Sequence, residues 1–130
     1  MSNVPSDLQY TKDHEWVRVQ GTQATIGITD HAQKQLGDVV FVELPKVGDT
    51  FSRGDAMGSI ESVKAVAEFY APVSGKINEI NQDIIDEPEL VNTDPYGDGW
   101  LLKIQITDSS QLSQLLTADQ YKQYIQEEAS

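Results

Sequence analysis

The sequence predicts a mainly β fold, a sandwich or flattened barrel of many short antiparallel strands with short helices at its flanks and a helical C-terminal segment. Three observations predict it. Short apolar or β-branched runs recur between Gly, Pro, Asn and Asp turn signals, as in Asp38–Leu44, Val66–Tyr70 and Gly75–Ile80. Helical periodicity is confined to brief stretches and to the end of the chain. A hydrophobic share of 38% over 130 residues suits one domain with a real core and no covalent staples. Residues 1–130 therefore read as a single domain, with a core hairpin region over about 38–106 and C-terminal helices over about 108–128.

The elements follow in order. Glu15–Val19 and Gln23–Ile28 form a hairpin around Gln20-Gly21-Thr22. Thr29 or Asp30 caps a short helix, His31–Leu36, which Gly37 ends. Asp38–Leu44 is a strand closed by Pro45, with Phe41 and the two tryptophans, Trp16 and Trp100, assigned to the core. Runs before and after Lys64 form a second hairpin, and Gly75–Ile80 a further strand. Gln82–Glu87 is a short polar, helix-compatible segment stopped near Pro88, and Asn92–Gly99 is a turn-rich loop. Trp100–Ile106 is a largely buried strand. Asp108 or Ser109 caps a helix containing Leu112, Leu115 and Leu116, and Ala118–Glu128 is a last helix with Tyr121, Tyr124 and Ile125 on one face.

Lys64 is the first candidate for chemistry. It sits between small aliphatic neighbours, Val63 and Ala65, at the reversal between two strand-forming runs. Gly48 lies before it and Gly75 after it, each in a turn-like context, and both are read as fixed corners of a pseudo-symmetric half-barrel. Exposed lysines are protonated at neutral pH, which makes this residue a poor base and a good handle for an acylating enzyme. A Schiff-base enzyme needs a desolvated lysine, and this tip offers no burial.

Composition excludes other classes. The net charge of −12 argues against nucleic-acid binding, which needs clustered Lys and Arg, and favours attraction to basic partner surfaces. The chain has no cysteine, hence no disulfide and no thiolate metal site. The two histidines, His14 and His31, lack metal-ligand spacing, so no metal is expected. No apolar run reaches membrane-span length, and Met1–Asp7 has neither the basic and apolar regions of a secretory signal nor the arginines of a transit peptide. A cytoplasmic location is expected, or a mitochondrial matrix one if a transit peptide has been removed. No phosphate loop, dinucleotide fingerprint or nucleophile elbow is present.

Five blocks carry a resemblance, in order along the chain. They are His14-Glu15-Trp16-Val17, Ile26–Gln33, Leu36–Pro45, Ala71-Pro72-Val73-Ser74-Gly75 and Asn92–Trp100, with the Glu61–Ala65 hairpin among them. The chain resembles the H-protein family of the glycine cleavage system. The resemblance implies a lipoyl/biotinyl-type barrel-sandwich hybrid and a non-catalytic carrier with lipoic acid in amide linkage on Lys64. It implies Glu61, Val63 and Ala65 as the residues that the lipoate-attaching enzymes read. An arm-docking cleft near Glu15, His31 and Glu68 is also implied. The implied partners are a pyridoxal-phosphate-dependent glycine decarboxylase, a tetrahydrofolate-dependent aminomethyltransferase and a dihydrolipoamide dehydrogenase, served by a monomer. Ala67-Glu68 departs from the Ser-Asp common in that family, which removes a hydroxyl from the docking region. The alternatives are a generic lipoyl or biotinyl domain, a lipoate-relay protein and a plain interaction module. Methionines flank the lysine in biotin carriers, unlike Val63 and Ala65 here.

Overall fold

Among the described residues, 3–129 of a computed structural model, nine strands form two antiparallel sheets. The larger runs in the order β1 (Gln9–Tyr10), β2 (Glu15–Gln20), β3 (Gln23–Ile28), β9 (Leu102–Ile106), β8 (Gly75–Ile80) and β5 (Thr50–Phe51). The smaller holds β4 (Val39–Glu43), β6 (Ala56–Ser62) and β7 (Val66–Tyr70). Helices α1 (Asp30–Leu36), α2 (Gln82–Asp86) and α3 (Leu90–Thr93) lie in the connections, and α4 (Ala118–Ala129) closes the chain. No helix among these residues is long and apolar enough to cross a membrane.

Period-two patterning builds the core between the sheets. Along β9, Leu102, Ile104 and Ile106 are buried while Lys103 and Gln105 face outward. Ile26, Val42, Ile60, Phe69 and Ile77 join them from both sheets. Each such side chain contributes about 1.5–3 kcal/mol relative to exposure. A second cluster joins the two ends of the chain, where Val4, Leu8, Tyr10 and Trp16 pack against Ala118 and Tyr121 of α4. Tyr10 and Tyr121 stack with ring centroids 4.6 Å apart. Trp16 is fully buried, and its indole N–H donates to the Pro95 carbonyl at 2.8 Å. It faces Gly27, where a Cβ would lie 2.6 Å from the ring, so glycine is required in that register.

The expected first hairpin, the first helix capped by Thr29 and ended by Gly37, and the strand Gly75–Ile80 are present. Four expectations fail. Gly75 is no corner: it pairs with Phe51 and Ile106 inside β8, and a Cβ there would overlap the Gln105 carbonyl oxygen. It is needed for close strand approach, whereas Gly48, at φ 100°, is a true corner. Phe41 is not core but 48% exposed, because an irregularity between Val39 and Phe41 turns it to the outer face opposite Glu61. Trp100 is only partly buried, against the second cluster. The Ser109–Gln114 segment is a 3-10 helix capped by Asp108 rather than an α-helix. Strands β1 and β5, two residues each, and α3 within the turn-rich region carry too little pattern to be read from sequence.

Candidate functional site

The β6–β7 hairpin ends in a four-residue turn, Ser62-Val63-Lys64-Ala65, whose backbone is tied throughout. Ser62 N–H donates to the Ala65 carbonyl at 2.8 Å. The buried Ser62 hydroxyl accepts from Lys64 N–H at 3.3 Å and Ala65 N–H at 3.1 Å, and donates to the Ala65 carbonyl at 3.2 Å. Val63 N–H donates to the Asp38 carbonyl at 3.0 Å, which fixes the tip to the start of β4. Every backbone donor of the turn therefore has a partner, while Val63, Lys64 and Ala65 expose their side chains.

The Lys64 stem does not stand free. Its Cε lies 3.4 Å from the place a Cβ would take on Gly37. Gly37 ends α1 at φ 79° and ψ −158°, a region open essentially to glycine alone. Asn92 holds that glycine in place, donating to the Gly37 carbonyl at 2.9 Å and to Gln33 Oε1 at 3.0 Å, while accepting from Val39 N–H at 2.8 Å. The end of α1 thus forms a seat for the lysine.

Around the tip lies an outer face with one chemical character. Glu61 pairs with Phe41 on one side and Val66 on the other. Val40, Phe41, Val63 and Val66 are all about half exposed or more, an unusual grouping for large apolar side chains. On the other side a cleft of about 180 Å³ opens, with apolar walls that include Leu36, Ile60, Ala67 and Phe69 and polar groups from Asp13, His14, Gln35 and Glu68.

The three residues expected at a docking cleft separate. Glu68 lines it. Glu15 does not: its carboxylate is 1% exposed, accepting from Thr11 Oγ1 at 2.6 Å and from Tyr70 N–H at 3.1 Å, and it borders a different cavity with Thr11, Arg53 and Pro72. Burial raises its pKa to about 7, only partly offset by those two hydrogen bonds. Glu15 is thus a structural link between β2 and the end of β7. His31 does not line the cleft either.

Folding places His31 beside His14, with ring centroids 4.9 Å apart, although seventeen residues separate them in sequence. Glu128 Oε1 of α4 lies 3.3 Å from His14 Nε2 and 3.4 Å from His31 Nε2. His14 Nδ1 is 2.8 Å from the Tyr121 hydroxyl, which is 2.7 Å from Thr29 Oγ1. Burial is the leading cause that lowers the His14 pKa from its ordinary value.

Sequence reading found Lys64, Glu61 and Glu68 and put His14 in a block near the cleft, which His14 does line, but missed Ser62, Gly37 and Glu128 as parts of these arrangements. The Ser-x-x spacing to Ala65 was a readable turn signal for Ser62. Glu128, on a distant helix, had none.

The same architecture recurs in known proteins. The glycine cleavage H-protein family model matches residues 8–128. The glycine cleavage system H protein of Herpetosiphon aurantiacus is 59% identical over 100% of this chain and 99% of its own length. That of Carboxydothermus hydrogenoformans is 53% identical over 98% of each. The crystal structure of a glycine cleavage system H protein from Mycobacterium marinum superposes with a TM-score of 0.84 at 41% identity, covering 98% of this chain and 100% of that one. With a match over nearly its whole length and the two-sheet fold in common, the chain belongs to the glycine cleavage H-protein family.

Proposed function

We propose that Lys64 is the attachment point of the lipoyl group, joined through an amide at Nζ, and that Glu61, Val63 and Ala65 are read by the lipoate-attaching enzymes. The observation that carries this reading is the tip itself: an exposed lysine between small side chains on a backbone with every donor satisfied. A modifying enzyme meets a preformed backbone epitope and has only exposed side chains left to order on binding. The protein is a lipoyl carrier of the glycine cleavage system and not an enzyme. Bound lipoate supplies the sulfur that takes up and releases the aminomethyl group of glycine.

The chain's own residues position that sulfur. Gly37 seats the lysine stem, and the apolar walls of the 180 Å³ cleft suit an aliphatic arm. Glu68 at its rim suits a cationic amine, through a charge-assisted hydrogen bond worth roughly 1.5–3 kcal/mol. That strength allows docking and release in turn. The protein works with the other components of the glycine cleavage system. We assign these as the pyridoxal-phosphate-dependent glycine decarboxylase, the tetrahydrofolate-dependent aminomethyltransferase and the dihydrolipoamide dehydrogenase. The exposed Val40, Phe41, Val63 and Val66 around Glu61 supply an apolar landing face for them. A monomer acting in the cytoplasm goes with this assignment, and the bacterial sources of the relatives support that compartment.

Expression in a lipoate-competent host followed by peptide mapping tests the attachment. One lipoyl group on Lys64 is expected, and none in Lys64→Arg, which keeps its fold. A lipoyl group on another lysine, or biotin on Lys64, overturns the assignment.

A further inference from the structure

We propose that His14, His31 and Glu128 form a binding site for a first-row divalent metal ion of the Zn2+ class, clasping α4 to α1 and to the turn before β2. The site shares His14 with the cleft beside the carrier hairpin, but the inference does not depend on the carrier role.

Geometry carries the proposal. Zinc holds imidazole nitrogen and carboxylate oxygen at about 2.0–2.2 Å, so two ligands at the tetrahedral angle lie about 3.3–3.5 Å apart. The Glu128 oxygen is 3.3 Å from one imidazole nitrogen and 3.4 Å from the other. All three donor atoms fall within 4.8 Å of one another, so small rotations of two rings complete the set.

The donors come from three separate elements. His31 is the second residue of α1 and Glu128 lies in the last turn of α4. His14 precedes β2 in a left-handed conformation, φ 69°, uncommon for a residue with a side chain.

The hydrogen bonds leave the right atoms open. His31 Nε2 is cut off from solvent and has no hydrogen-bond partner, although the Glu128 oxygen is near. A buried nitrogen in that state is costly, and a metal ion satisfies it. His14 bonds through Nδ1 to Tyr121, whose hydroxyl in turn meets Thr29. That is the outer-shell arrangement that orients a metal-ligating imidazole and leaves Nε2 for the metal. Two imidazoles and a carboxylate are donors for zinc, cobalt, nickel or copper, whereas magnesium and calcium prefer oxygen alone. Three protein ligands leave a coordination position for water or a small exogenous ligand.

The test uses the full chain without an affinity tag, stripped with chelator and with Lys64 unmodified, so that no dithiol competes. Titration with Zn2+ is followed by calorimetry, and titration with Co2+ by its visible d–d absorption. Saturable binding at one ion per chain is expected, with a tetrahedral cobalt spectrum and no displacement by excess Mg2+. Outer-shell changes typically weaken metal binding by about 10–100-fold, so loss of a ligand should exceed about a hundredfold. His31→Gln and Glu128→Gln are the ligand variants, the second at a partly exposed site that does not threaten folding. Tyr121→Phe, which keeps the ring stack, should weaken binding by about 10–100-fold. Glu127→Gln, an adjacent exposed acid, should change nothing. Absence of saturable binding, affinity unchanged from wild type in His31→Gln and Glu128→Gln, or displacement by Mg2+ would each overturn the proposal. The three residues would then be an ion-paired clasp, and any metal bound would belong to the acidic surface.

Discussion

Replacing Glu15 by glutamine should remove a pH dependence from folding. Glu15 is buried, and its pKa rises from 4.5 to about 7 in the folded state, chiefly through desolvation. An acid with a raised folded pKa binds its proton more tightly when folded. Its stabilising contribution is complete below about pH 4.5 and is lost as pH rises through about 7. The interval between those two values, at 1.36 kcal/mol per unit, corresponds to about 3 kcal/mol. Glutamine has nearly the same shape, accepts the Tyr70 N–H through its carbonyl, and does not titrate. Urea unfolding of both proteins, followed by tryptophan fluorescence from pH 4 to pH 8, gives the difference in stability at each pH. His14, whose pKa is lowered, and Asp30, also lowered, titrate alike in both proteins and cancel in the difference. Wild type should lose about 3 kcal/mol relative to Glu15→Gln across that range. A flat difference shows that Glu15 is not desolvated. A difference that grows in favour of wild type as pH rises shows a carboxylate stabilised by its two donors, and refutes the reasoning.

Three further outcomes follow from the site. Glu61→Gln should slow lipoylation without changing stability beyond about 0–1 kcal/mol, since the charge is exposed; equal modification rates in a single-turnover ligase assay remove Glu61 from the recognition set. Gly37→Ala should destabilise by about 1–3 kcal/mol, because φ 79° with ψ −158° excludes a side chain, and an unchanged melting curve refutes that strain. Glu68→Gln should speed loss of ammonia from the aminomethyl-loaded protein at neutral pH while leaving the unloaded protein as stable as before, and equal release rates mean that this carboxylate does not hold the amine.

The parts of the fold legible in sequence were those written locally. The first hairpin, the capped helix ended by Gly37 and the lysine hairpin each carry their turn and periodicity within a few residues. What escaped depends on register or on distant partners. Phe41 looks like core by composition, yet an irregularity of β4 near Val39 turns it outward. Gly75 reads as a turn glycine, yet the crowding that requires it comes from Gln105 and Ile104 on β9. Glu15 sits in a block whose family context points to a cleft, while its hydrogen bonds tie it to Thr11 and to Tyr70. The two histidines lack ligand spacing in sequence, and only the return of α4 across the first helix brings Glu128 to both.

The hydroxyl of Ser62 has a mechanical consequence. It locks the turn that bears Lys64, so the hinge of any attached arm is the side chain and not the backbone. The tether that sets how often the arm's end meets a partner's pocket is then as short as the chemistry permits. Local concentration falls roughly as the −3/2 power of tether length, so four loosened backbone residues would dilute the arm's end within a larger sphere. Ser62→Ala removes the hydroxyl's share of that lock without touching the lysine, and leaves the turn held by the Ser62 and Val63 N–H groups on the Ala65 and Asp38 carbonyls. A carrier built this way meets the ordering cost of its turn once, when it folds, and each of its successive encounters begins from the same fixed pivot.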